Sequence, residues 1–181
     1  MTYKKATEGK PIQRRDLIGI AITPLLSVLT LKCGAAESSS NRIIWPDLQL
    51  IDGNSIRSGE WSDTPAIVVF WETWCPYCRR QNVLMDRLYH AVQRKNIRIL
   101  GATTEIDEAK VKYYVTSNAL SFPVAIVSAD FKRQFTKRRV IPMTCLVSES
   151  GTLLQAIPGE MAWEDVQSLP TGLLRNQRSS T

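Results

Sequence analysis

The sequence predicts an α/β domain in which a central mixed β-sheet is covered by helices on both faces, with a β-hairpin ahead of it. Three observations carry this expectation. Pro65-Ala66-Ile67-Val68-Val69-Phe70-Trp71 is an unbroken β-branched and aromatic run, and a strand without alternation is one buried on both faces, hence central. After it, segments of helical periodicity alternate with short apolar strands, the order that builds a sheet flanked by helices. Near the C-terminus two apolar strands flank Ser148-Glu149-Ser150-Gly151 as a strand–turn–strand.

Lys4, Lys5, Lys10, Arg14 and Arg15 precede an apolar run over residues 17–31, interrupted by Pro24. A bilayer-spanning helix needs about 20 such residues, so the run has the length of the apolar region of an export signal. Gly34-Ala35-Ala36 supplies small residues for cleavage, and Arg14-Arg15-Asp16-Leu17-Ile18 matches part of a twin-arginine signal. Residues 1–36 therefore read as an export signal or signal anchor. The remainder is expected in a periplasmic or other extracytoplasmic space, membrane-bound only if the leader stays uncleaved. Lys32 before Cys33 is the wrong residue for a lipid-attachment site, so Cys33 is expected to leave with the leader. Residues 37–44 read as a linker, 45–172 as the domain and 173–181 as a polar tail.

Within the domain, Leu48 to Ile56 forms two short strands around Asp52-Gly53, a strong hairpin signal. The buried strand 65–71 leads into Cys75-Pro76-Tyr77-Cys78. Val83, Leu84, Leu88, Ala91 and Val92 then recur at helical spacing to about Arg94. Ile97 to Ala102 is a second strand, Ile106 to Asn118 a surface helix, and Phe122 to Val127 a short strand. Residues 143–147 and 152–157 form the closing hairpin, and Trp163 to Leu169 the last helix.

Of 181 residues, 23 are Lys or Arg and 17 Asp or Glu, a net charge of +6. The leader holds six of the basic and two of the acidic residues, so the excess belongs mostly to it and no nucleic-acid partner is expected. A single histidine argues against a His-rich metal site and a His-dependent hydrolase. Four cysteines with one tight pair do not make a disulfide scaffold, and a chain of this length buries a core without one.

The chemistry lies in Trp74-Cys75-Pro76-Tyr77-Cys78, where a buried strand gives way to a helix. Open α/β sheets place reactive groups at such strand ends. Unpaired N–H groups and the helix dipole there favour thiolate over thiol. Cys75, nearest the helix end, is the expected exposed nucleophile. Cys78, one turn in, is the shielded partner that resolves a mixed disulfide. Pro76 falls where a missing N–H costs little. Cys-x-x-Cys is also half of a zinc site, but only His90, Cys33 and Cys145 remain as partners, none of them paired, so no metal is expected. The alternative function is a thiol metallochaperone or a non-catalytic client-binding module.

Across roughly residues 45–170 the chain resembles the TlpA-like extracytoplasmic thioredoxins. Trp45-Pro46-Asp47-Leu48 with Asp52-Gly53-Asn54 is similar to their opening hairpin, Val69 to Cys78 to their active-site signature, and Val140 to Val147 to the segment bearing the cis-proline. The resemblance implies a thioredoxin-like fold and dithiol–disulfide exchange with protein clients through a redox-active Cys75–Cys78 disulfide. No other cofactor is implied. It makes Pro142 the cis-proline that positions substrate, and Ile141 a backbone partner for an extended client. Trp74, Pro76 and Tyr77 complete the expected client-facing surface. It further implies a reductase fed by a membrane electron-donor protein, with cytochrome c maturation as one destination.

Two positions depart from that pattern. Gln81 stands where members concerned with cytochrome c maturation often carry a buried Glu, and Val69 where cytosolic thioredoxins carry a buried acid. Glu72, the nearest carboxylate in sequence, reads as a solvated strand end, with a role as substitute base as the alternative. Pro-Tyr is also the glutaredoxin dipeptide, yet no Gly pair follows Pro142. A peroxiredoxin would carry Thr or Ser where Glu72 stands. Cys145 is expected as a packed core thiol, His90 as solvent-facing and Trp71 as core. Lys132-Arg133 and Lys137-Arg138-Arg139 are expected on a solvated face rather than as a docking patch for an acidic partner.

Overall fold

The computed structural model describes residues 42–178. The expected leader, including Cys33, lies outside the described residues, as do positions 37–41 and 179–181. Strands β1 (Leu48–Gln49) and β2 (Ser55–Ile56) form the antiparallel hairpin. Its turn places Gly53 at φ 92°, a conformation that costs glycine nothing. The hairpin is shorter than its apolar pattern because Leu50 and Ile51 serve the main sheet instead. The Ile51 N–H donates to the Val124 carbonyl at 2.8 Å, and Leu50 bridges Ala125.

The main elements follow as β3 (Ala66–Phe70), α1 (Pro76–Val92), β4 (Arg98–Thr103), α2 (Glu108–Ser117), β5 (Val124–Ile126), α3 (Ala129–Phe135), β6 (Met143–Val147), β7 (Leu153–Pro158) and α4 (Trp163–Arg178). The sheet order is β5-β4-β3-β6-β7, with β3 central as expected. It pairs in parallel with β4 and antiparallel with β6. This is a thioredoxin-like α/β fold.

Alternation along β3 divides the core. Ile67, Val69 and Trp71 pack with Met85 and Leu88 of α1 and with Val166, Leu169 and Leu173 of α4. Ala66, Val68 and Phe70 pack on the other face with Phe131 and Phe135 of α3 and with Trp45 and Trp61. Trp45 sits 5.2 Å from Trp61 and 5.6 Å from Phe131, centroid to centroid, so the segment before β1 closes this second core.

Several boundaries move. The domain begins before residue 45. Ile43 is buried, its N–H donates to the Gly151 carbonyl at 2.8 Å, and Arg42 bridges Thr152. Helix α4 does not stop at Leu169 but continues through Pro170 to Arg178, because Leu173 beyond the proline is fully buried. Positions 173–178 are thus helix rather than tail. Helix α3, unforeseen, is capped by the Ser128 hydroxyl accepting from the Phe131 N–H at 3.1 Å. On α1 the buried face includes Gln81 and Asn82, whereas Val83 and Ala91 are exposed. Among the described residues no helix is long and apolar enough to cross a membrane.

Candidate active site

The turn between β3 and α1 is held from β4 and the loop beyond it. The Trp71 N–H donates to the Ala102 carbonyl at 3.0 Å. Glu72 is buried, not the solvated strand end expected. Its carboxylate accepts from the hydroxyls of Thr103 at 2.8 Å and Thr104 at 2.7 Å, and from the Thr104 N–H at 3.3 Å. Next to it, the Thr73 N–H and hydroxyl both donate to Glu105, which also receives the Lys110 ammonium at 2.8 Å. Burial of Glu105 opposes ionisation. The Lys110 ammonium and the two Thr73 donors outweigh it and hold the carboxyl below the ordinary range.

That turn delivers Cys75 to the N-cap of α1 in extended conformation, with Pro76 beginning the helix. The Cys75 Sγ accepts from the Cys78 N–H at 3.1 Å, so a backbone donor already points at this sulfur. No acidic residue occupies the first turn of α1, leaving the positive end of the helix free to favour a thiolate. Cys75 and Cys78 are disulfide-bonded, with Cα atoms 5.2 Å apart. Cys75 is not openly exposed, as the sequence suggested; it retains 4% of its surface while Cys78 retains none. A cleft of about 410 Å³ nevertheless reaches Cys75, with Thr73, Trp74, Pro76, Arg79 and Arg80 as its other walls. Cys78 lies behind, in the core shared with Val69 and Met85.

The Ile141–Pro142 peptide bond is cis. It brings the Ile141 carbonyl to 4.0 Å from the Cys75 Sγ, while the Pro142 carbonyl accepts from the Gly159 N–H at 2.8 Å. Around this centre Trp74 and Tyr77 are 68% and 57% exposed, and Pro76 is exposed between them. The Arg80 guanidinium lies 5.0 Å from the Tyr77 ring centroid and holds Glu160 through two bonds of 2.6 Å. Cys75, Cys78, Pro142, Trp74, Pro76, Tyr77 and Ile141 thus meet in one place.

Behind the disulfide, Gln81 is fully buried and its Oε1 accepts from the Met161 N–H at 2.8 Å. Val69 is buried on the same face of the sheet. Cys145 is a packed thiol in β6, paired with Val68 and on the opposite face from Cys75. Burial pushes its thiol up to about 12, and the sheet separates it from the disulfide. His90 is exposed, 3.5 Å from Asp86. Among the described residues, no three His, Cys, Asp or Glu side chains converge as a metal-binding group.

Sequence reasoning missed the clamp of Thr103, Thr104 and Glu105, for which a Thr-Thr-Glu triplet carries no signal of its own. It also missed α3, whose Ser128 cap followed by Phe131 and Phe135 at helical spacing was legible. Lys132 and Arg133 fall on that helix. With Lys137, Arg138 and Arg139 they line a groove shared with Trp74 and Ile141, so this basic face borders the site.

Residues 44–156 match the family model described as the AhpC/TSA family. The chain is 27% identical over 153 residues to thiol-disulfide oxidoreductase ResA of Geobacillus kaustophilus, covering 83% of this chain and 86% of that protein. It is 28% identical over 120 residues to ResA of Halalkalibacterium halodurans, covering 66% and 68%. Among solved structures, it is similar to a thiol:disulfide interchange protein of the thioredoxin family from Chlorobium tepidum, with a TM-score of 0.69 and 21% identity over 77% of this chain and 99% of that one. StoA from Bacillus subtilis gives a TM-score of 0.60 and 22% identity over 68% and 94%. These structural likenesses concern the fold.

Proposed function

Because this chain belongs to the AhpC/TSA family and is a ResA-like thiol–disulfide oxidoreductase with its Cys75–Cys78 pair at disulfide distance, we propose that it works outside the cytoplasm as a reductase of protein disulfides. The observation that carries the reading is the asymmetry of the pair. Cys75 caps a helix, receives a backbone N–H and lines an open cleft, while Cys78 has no surface at all.

In the reduced enzyme the Cys75 thiolate attacks one sulfur of a client disulfide. The client S–S bond breaks, a Cys75–client disulfide forms, and the client's other sulfur leaves as a thiolate that takes a proton from water. Cys78, giving its proton to water, then attacks the Cys75 sulfur and releases the second client thiol. Two electrons have passed to the client and the enzyme holds the Cys75–Cys78 disulfide. A membrane electron-donor protein restores the dithiol by the reverse exchange. Ile141 offers its carbonyl to an extended client segment beside Pro142, and Trp74, Pro76 and Tyr77 form the apron on which the client rests.

The apolar run at 17–31 supports an extracytoplasmic place for this chemistry. Cytochrome c maturation is one destination of the electrons within the proposal. Gln81 and Val69 supply no proton acceptor there, which supports water as the acceptor for Cys78.

The test is trapping with the Cys78→Ala variant in the exported, full-length protein. Disulfide-linked Cys75–client adducts are expected to accumulate and to disappear when Cys75 is also replaced. A reduction potential near about −270 mV supports a reductase, and one near about −120 mV an oxidase. No adduct, together with no reduction of insulin by the wild type, sinks the proposal.

A further inference from the structure

Beside the Cys75 cleft runs a second groove of about 670 Å³, and the two share Trp74 as a wall. Its edge toward the disulfide is Ile141, whose carbonyl lies 4.0 Å from the Cys75 Sγ. Five of its other lining residues are basic, Lys132 and Arg133 from α3, then Lys137, Arg138 and Arg139 from the loop leading to the cis-proline, with Thr104, Ala129 and Thr136 among them. Glu72 is the one carboxylate in the lining, and its oxygens are taken up by Thr103 and Thr104. Arg133 pairs with Asp130. Among the described residues no carboxylate forms an ion pair with Lys132, Lys137, Arg138 or Arg139.

Among the described residues, Lys137, Arg138 and Arg139 are exposed and their side chains have no ion-pair or hydrogen-bond partner. Three in succession repel one another, and exposed they find only water. Lys132 is the exception in part, its ammonium lying 5.7 Å from the Phe70 ring centroid. An anionic occupant relieves this repulsion, and the groove's continuity with the site says where that occupant is attached. A client held in extended form at the Ile141 backbone continues past Trp74 into the groove, at about 3.3 Å per residue.

We propose that the groove formed by Trp74, Ile141, Lys132, Lys137, Arg138 and Arg139 is a docking site for an acidic stretch of client polypeptide lying a few residues from the client's reacting cysteine. This rests on the exchange reaction proposed above and adds to it a selection rule. Clients whose disulfide lies beside Asp or Glu are taken in preference to neutral ones. The preference enters mainly through the rate of encounter, which complementary charge raises and salt lowers.

The test uses two peptides, each carrying one cysteine as a mixed disulfide with 2-mercaptoethanol, flanked by Asp and Glu in one and by Asn and Gln in the other. Rate constants with the reduced protein are read by tryptophan fluorescence in stopped flow, and their ratio cancels any change in the sulfur itself. The acidic peptide is expected to react at least tenfold faster at low salt, with the advantage falling as salt is raised. Arg138→Glu/Arg139→Glu is expected to bring the ratio to one or below. Arg94→Glu/Lys95→Glu changes net charge equally in the turn that follows α1, a helix about 25 Å long whose other end carries Cys75, and is expected to keep the preference. A ratio near one in the wild type overturns the docking site. So does an equal loss in both double variants, which would reduce the effect to net charge. Binding to phosphatidylglycerol vesicles that Arg138→Glu/Arg139→Glu abolishes, with the peptide ratio unmoved, assigns the groove to a lipid surface and overturns it as well. If neither peptide reacts, the exchange reading fails on its own. The groove is then decided by the same two sequences, cysteine-free and fluorescently labelled, binding the oxidised protein: acidic preference lost in Arg138→Glu/Arg139→Glu supports it, equal binding sinks it.

Discussion

Glu105 clamps the turn that presents Cys75 by taking both hydrogen-bond donors of Thr73, the backbone N–H on one carboxylate oxygen and the hydroxyl, at 2.9 Å, on the other. Lys110, at 2.8 Å, fixes the carboxylate from α2. The position of the helix end that carries Cys75 therefore depends on a residue thirty positions further along the chain.

A carboxyl held below its unfolded value stabilises the fold above the unfolded pKa and loses that contribution as pH falls through the folded one. Glu105→Gln should therefore be less stable than wild type by about 1 kcal/mol at neutral pH. The gap should close as pH drops below the ordinary carboxylate range. Urea midpoints from pH 7 to the acid limb measure it, and a gap that ignores pH would show that the charge is not what holds Thr73.

Cys145 has its thiol pushed up to about 12 by burial. Iodoacetamide at pH 8 should alkylate Cys75 in the reduced native protein and spare Cys145 until denaturant is added, read by peptide mass mapping. A raised thiol pKa also means stability fully present below the unfolded value of about 8.5 and lost as pH climbs toward the folded one. Cys145→Ala should lack that part of the alkaline decline.

Gly101 in β4 leaves room for two large side chains. A Cβ there would stand 2.6 Å from the Phe122 ring and 3.0 Å from the Trp71 indole nitrogen. Gly101→Ala should cost about 1–3 kcal/mol through forced displacement of packed rings, seen as a lower urea midpoint. An unchanged midpoint would mean the rings move without penalty.

Gln81→Glu places a carboxyl where the Gln81 side chain is fully buried and accepts the Met161 N–H. Burial raises its pKa, so the variant should match wild type at low pH and lose stability as pH rises through the folded value, by about 1–3 kcal/mol. If Glu also serves as proton acceptor, single-turnover rates of the second exchange step should rise above the same pH. Thermal melts across pH 4–8 decide the stability part.

Much of the fold was legible because its signals are local. The run at 65–71 announced a strand covered on both faces, Asp52-Gly53 a turn, and Cys75-Pro76 a helix start. The two ends of the domain were misread for a shared reason. Ile43 and Leu173 look like parts of a linker and a tail until Gly151 and the packed face of α1 give them something to bury against. The last helix, expected over Trp163 to Leu169, runs on through Pro170 because burial of Leu173 outweighs a missing N–H.

The sequence by itself determined the reactive pair, its place at a helix N-terminus and the apolar pattern of the sheet, since each follows from neighbours a few residues apart. Only the tertiary structure decided that Ile141 meets the Cys75 sulfur, that Glu105 grips Thr73, and that the cations at 132–139 share a wall with Trp74. Those contacts join residues dozens of positions apart. Which of them form depends on strand order and on how faces are buried, and no local pattern encodes either.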